Sequence, residues 1–225
     1  MISNVPSWVE VLFILTTVLT VALFYFLNSR PKLLLAIIVG YGILQSVLAN
    51  AGFYQVDGFP PRPLFVLLPT FFVLVYGLTG RRVAWAEKNR NLKYSYFLHT
   101  IRIPVEIVLL QLFLAGAVPE LMTFEGRNFD ILIGIIAPFV GYYFMQGKMG
   151  AKSLLVWNIV GLVFVLFIVV NAVLSISTPF QLFGFDQPNV AVNYFPFVLL
   201  PAVIVPIVIY THLSDILILR KKISG

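Results

Sequence analysis

Seven stretches of this chain run almost without charge, each near the roughly 20 residues that a helix needs to cross a bilayer. They lie at 7–27, 33–54, 63–80, 95–118, 129–147, 153–175 and 193–219. Such segments must be buried on every side in water, and a chain of 225 residues has too little polar material to bury seven of them. In a bilayer each satisfies its own backbone as a helix. Composition agrees: 60% of residues are hydrophobic, 11% are charged, and mean hydropathy is +0.98, outside the range of a soluble domain. The expected fold class is all-α, a single polytopic transmembrane domain over 1–225 with seven transmembrane helices.

The basic residues orient it. Arg30 and Lys32 follow the first span. Arg81, Arg82, Lys88, Arg90 and Lys93 follow the third, Lys148 and Lys152 the fifth, and Arg220, Lys221 and Lys222 the seventh. Arg62 and Arg127 lie on the other side, and Arg102 lies within a span. The positive-inside rule then puts the N-terminus outside and the C-terminus in the cytoplasm, in a plasma or inner membrane. The leading segment has no basic residue, carries Glu10 and lacks a cleavage pattern, so the first helix is expected to remain as a span. Anionic lipid accounts for the net charge of +6, and no nucleic acid is expected as a partner. The expected partners are the bilayer, a small solute or lipid, and further copies of the chain.

The first three spans echo the last three. Leu33-Leu34, Val39-Gly40 and Asn50-Ala51 are matched by Leu154-Leu155, Val160-Gly161 and Asn171-Ala172, and Phe65–Pro69 by Phe197–Pro201. A parallel internal repeat follows, with units 7–80 and 129–219 joined by the helix 95–118. Repeated bundles of this kind place solute sites at their interface. The three-plus-one-plus-three plan is similar to that of sugar-transporting SWEET proteins and their PQ-loop relatives, in architecture alone, since no Pro-Gln motif stands at the expected bend. The seven spans and orientation are also similar to those of microbial rhodopsins, but the last span, 193–219, contains no lysine, so a retinal Schiff base there is excluded.

The linking helix carries the most chemistry. His99, Arg102 and Glu106 are spaced three and four apart, which puts them on one helix face. Charge inside a membrane is costly and marks functional sites, so these side chains are expected to face the bundle interior, with Arg102 and Glu106 paired or bridged. Pro104 frees the carbonyl of Thr100 and introduces a kink. His212 and Asp215, on the last span, lie at the depth of His99 and Arg102. Asn50 and Asn171 would face each other near the outer ends of their helices, and Pro69 and Pro201 would be paired kinks. Each has a plainer use: an ion-pair lock, interfacial polarity, interhelical hydrogen bonds and static bends. The connection Glu120–Asp130 reads as a solvated loop or an ordered lid, and Arg81–Lys93 as a basic loop or short helix facing headgroups.

The chain has no cysteine, which removes thiolate metal sites and cysteine nucleophiles. Gly147–Ser153 departs from a phosphate loop, and no zinc-protease, calcium-loop or hydrolase motif is present. No cofactor or metal is expected. A zinc site would need His99, His212 and Asp215 to converge. The leading expectation is transport of a small polar or anionic solute, coupled to protons through Glu106. The alternatives are an intramembrane enzyme acting on a lipid or headgroup through His99, His212 and Asp215, and a sensor or assembly partner without turnover.

Overall fold

The computed structural model describes residues 2, 4–56, 58–79 and 81–224, with the side chains of 81–83 left aside. Gly80, which closes the third expected span and the first repeat unit, lies outside the described residues. Among those residues there are eight helices and no strand. They are α1 (Ser7–Leu27), α2 (Lys32–Asn50), α3 (Leu64–Gly77), α4 (Arg81–Asn89), α5 (Leu92–Leu114), α6 (Asp130–Met145), α7 (Ala151–Val173) and α8 (Leu200–Ser224). Five of them, α1, α2, α5, α7 and α8, are long and apolar enough to cross a membrane. Leu15, Val18, Phe26, Leu33, Ile37, Phe71, Phe72 and Phe139 stand exposed around the bundle, an apolar belt far beyond what a soluble monomer shows. The bundle is compatible with membrane insertion.

α3 and α6 coincide with two of the seven apolar stretches but have 14 and 16 residues. At a rise of about 1.5 Å per residue they fall short of the roughly 30 Å hydrocarbon core. α5 also ends before its apolar stretch does, for an identifiable cause. After α5, Gly116 turns left-handed at φ 80°. Its N–H donates to Phe113 O and that of Ala117 to Leu112 O, a Schellman closure that ends the helix four residues before its expected limit. The chain then turns back into the bundle. Ala117, Val118, Met122, Thr123 and Asn128 are buried while Glu120, Phe124, Glu125 and Gly126 are exposed, so the connection combines an exposed charged tip with an anchored, ordered base. Irregular backbone at such depth is tolerated where protein surrounds it.

The last expected span also starts late. Residues 193–199 do not join α8, because Pro196 and Pro201 withdraw N–H donors and Pro196 biases Phe195 away from helix. α8 opens instead on a π-helical turn, Leu200–Ile204, that contains Pro201. In α5, a 3₁₀ turn over His99–Ile101 precedes Pro104. Pro69 lies inside α3, as does Pro138 inside α6.

α1 packs its Val9, Phe13, Thr16, Thr17, Thr20, Phe24, Leu27 face inward, the three- and four-residue spacing of an amphipathic stripe. Phe13 meets Phe197 with ring centroids 5.3 Å apart, and the threonines satisfy their hydroxyls on Leu12, Phe13 and Thr16 carbonyls. α7 packs along α8, and α5 against α1 and α6. The residues matched between the apparent repeats have unlike surroundings. Gly40 has open space around it while Gly161 abuts His212. Asn50 is exposed while Asn171 is buried.

Candidate functional site

Arg102 is the buried cation of α5. Its Nη1 lies 2.6 Å from Asp130 Oδ1, an ion pair with both side chains almost wholly buried. Its Nη2 lies 2.8 Å from His212 Nε2, and both terminal nitrogens approach the Gly161 carbonyl, at 3.5 and 3.4 Å. The expected partner of Arg102 was Glu106. Asp130 takes that place because the chain re-enters after α5 and starts α6 at this depth.

An arginine nitrogen can only donate. His212 Nε2 therefore accepts, and the imidazole proton sits on Nδ1, which donates to Asn158 Oδ1 at 2.9 Å. Asn158 in turn donates its amide to Leu154 O at 3.0 Å. On the other side, Asn128 accepts the backbone N–H of Asp130 at 3.1 Å, an Asx turn at the start of α6. Its amide nitrogen donates to Glu106 Oε1 at 2.6 Å and to Met122 O at 3.0 Å. The outcome is an unbroken hydrogen-bonded column, Asn158–His212–Arg102–Asp130–Asn128–Glu106, which ties α7, α8, α5 and α6 together.

His99 stacks on His212 with ring centroids 3.9 Å apart and 16° between planes, and Trp157 meets His99 edge-on at 5.3 Å. Both ring nitrogens of His99, Oε2 of Glu106 and Nε of Arg102 are buried without a hydrogen-bond partner among the described residues. Native interiors pair nearly all such atoms, so each unpaired one asks for a reason. The column is also tightly made. A Cβ on Gly161 would lie 2.5 Å from His212 Cε1, and one on Gly134 3.2 Å from Arg102 Cβ.

Asp215 does not join His99 and His212. It forms an ion pair with Arg90 and accepts from Ser95 Oγ, while Arg90 also reaches Ser95 at 2.7 Å and Asn28 at 3.2 Å. This second buried cluster lies three residues along α8 from His212, toward the basic end of the chain. No group of three metal-ligating side chains is found among the described residues.

At the opposite end, Asn171 accepts from Arg127 Nη2 and donates to Phe167 O at 2.7 Å. Arg127 lies over the Phe183 ring at 4.5 Å. Asn50 is apart from this pair, exposed at the end of α2. The loops after α5 and α7 enclose a depression of about 680 Å³ here, lined in part by Phe113, Arg127, Phe183 and Gln187. A separate apolar crevice of about 310 Å³ lies between α3, α7 and α8, and no titratable side chain lines it.

The structure thus brings together His99, Arg102, Glu106 and His212, and separates Asp215, Asn50 and Asn171 from them. Asp130, Asn128, Asn158 and Arg90 escaped the sequence reading. Asn158 had a signal, being an amide in the middle of an apolar span. Asp130, two residues after an Asn and opening an apolar run, had a helix-start signal.

Residues 60–220 match the family described as Domain of unknown function (DUF8737). The match covers most of the chain, so the protein belongs to that family, and every member of the column falls within the matched span. No curated protein and no solved structure matches the chain.

Proposed function

We propose, for this member of a family whose description names no activity, an integral membrane protein that transports a small polar or anionic solute coupled to protons. The observation that carries the reading is the column from Asn158 to Glu106. Ionisable groups placed inside a bilayer are expensive, and they mark proton and ion pathways. A purely structural lock would pair every polar atom of the column and of the His99 ring stacked on it. Here Glu106 Oε2 and both nitrogens of His99 are left without protein partners among the described residues, where protons enter and leave. Arg102, held by Asp130 and His212, stays charged and sets the field around Glu106. Its guanidinium does not itself give up a proton.

Seven spans, with the N-terminus outside and the C-terminus cytoplasmic, fit the distribution of basic residues. In that orientation the depression at Arg127 opens outward and the Arg90–Asp215 cluster lies near the inner face. The matched residues of the sequence motivate a parallel duplication of 7–80 and 129–219, in which the second copy and the linking helix carry the column and the first copy supplies apolar packing. The apolar crevice weighs against a lipid-modifying enzyme, because its lining offers no acid or base beside a bound lipid.

The test is reconstitution into vesicles that trap a pH-sensitive dye, with small polar and anionic solutes added outside one at a time. The reading expects at least one solute to drive proton entry beyond that of protein-free vesicles. Solute uptake that leaves internal pH unchanged would remove the coupling to protons.

A further inference from the structure

We infer that the depression at the loop end is a binding site for a small organic carboxylate with an apolar body, and that Arg127 is its cation. The inference deepens the transport reading and rests on it for its biological sense, although the binding itself can be measured separately.

Arg127 is held but not neutralised. Its Nη2 donates to Asn171 Oδ1, and its guanidinium lies over Phe183 at 4.5 Å and Phe167 at 6.0 Å. No carboxylate among the described residues pairs with it. Its Nε is buried without a partner. A guanidinium fixed by stacking and one amide bond is preorganised for a carboxylate, and it loses little freedom when the ligand arrives.

The walls are built rather than incidental. Gln187 Nε2 bridges the two loops by donating to Phe113 O at 2.8 Å and Val118 O at 2.6 Å. A Cβ on Gly126 would strike the Glu120 carbonyl, so only glycine allows the loop to close there. Gly184 takes φ +65° against Pro119, with 3.0 Å to a built Cβ, a backbone state that favours glycine. Phe113, Leu121 and Phe183 supply an apolar lining of the kind that receives organic ligands.

Glu120 and Asp186 also line the depression and are exposed. Being exposed, their charges are screened by solvent, and they oppose a dianion such as phosphate about twice as strongly as a monoanion. Arg127 is followed in sequence by Asn128, the residue that holds Glu106. A carboxylate bound at Arg127 therefore adds its charge at the head of the column.

The test is calorimetric titration of the full chain, purified in neutral detergent, with hippurate, its neutral amide hippuramide, and inorganic phosphate. Hippurate should bind, with hippuramide and phosphate about tenfold weaker or more, as expected for loss of a charge-assisted contact. Arg127→Gln should weaken hippurate by about tenfold or more, and Arg62→Gln, at the same end but outside the depression, should leave it unchanged. Asn171→Asp provides an independent variant. It sets a carboxylate on Arg127 and should weaken hippurate likewise, with the unfolding midpoint kept. Equal binding of hippurate and hippuramide, tight phosphate binding, or full affinity in both Arg127→Gln and Asn171→Asp would overturn the assignment. Binding through Arg127 without proton-linked uptake in vesicles would remove the transport reading and leave this site. Proton-linked uptake of another solute without hippurate binding would do the reverse.

Discussion

Arg102 and Asp130 stand 28 positions apart in the chain and 2.6 Å apart in the bundle. Their ion pair ties the start of α6 to the middle of α5. It is the carboxylate–guanidinium contact of the column. Stranding one partner of such a pair costs about 3–5 kcal/mol, whereas replacing both with apolar groups costs far less. Arg102→Met and Asp130→Leu should each destabilise the protein by that amount, and the double variant by much less than the sum. Unfolding titrations in mixed detergent measure all three.

Gly161→Ala should cost about 1–3 kcal/mol, as overpacked sites do. The added methyl would lie 2.5 Å from His212 Cε1 and would push the ring off Asn158 or Arg102. Gly40→Ala, the matched position in the first half, meets open space and should be neutral. Thermal unfolding of the two variants separates the positions.

The tautomer of His212 follows from its neighbours. Nitrogen-15 spectra of labelled protein should show a protonated Nδ1 and an unprotonated Nε2. Asn158→Ala removes the acceptor of Nδ1–H and should cost about 0.6–1.7 kcal/mol, the range for hydrogen bonds between membrane helices. A protonated Nε2 in the unaltered protein would break the assigned link to Arg102.

Topology can be read directly, because the chain contains no cysteine. A single Glu125→Cys should react with an impermeant maleimide in intact cells. A single Lys222→Cys should react only after permeabilisation. The reverse pattern would invert the orientation and move the Arg127 depression to the cytoplasm.

What could be read in advance divides along physical lines. Apolar runs of near-membrane length mark helices whatever the partners, so each of the seven stretches overlaps a helix. The face shared by His99, Arg102 and Glu106 is local geometry, and all three are indeed buried. Helix ends were less legible. Gly116 could be read as a stop, but the descent of residues 117–129 depends on what receives them. Partner choice was hidden for the same reason. Asp130 is adjacent to Arg102 only because the chain re-enters, and Arg90, apparently one of a row of headgroup lysines and arginines, is drawn inward by Asp215, Ser95 and Asn28. The matched Gly and Asn pairs show the limit of apolar similarity, since Gly40 and Gly161 meet quite different neighbours.

The central claim is that Glu106, at the end of this column, takes up and releases the coupled proton. It is tested most directly by proton entry into vesicles with a trapped pH dye, driven by external hippurate, comparing the unaltered protein with Glu106→Gln at equal incorporation. Gln keeps a hydrogen-bonding partner for Asn128 but cannot take up a proton. The account predicts hippurate-driven acidification in the unaltered protein, and in Glu106→Gln a rate no higher than that of protein-free vesicles. Equal acidification in the two proteins would contradict it.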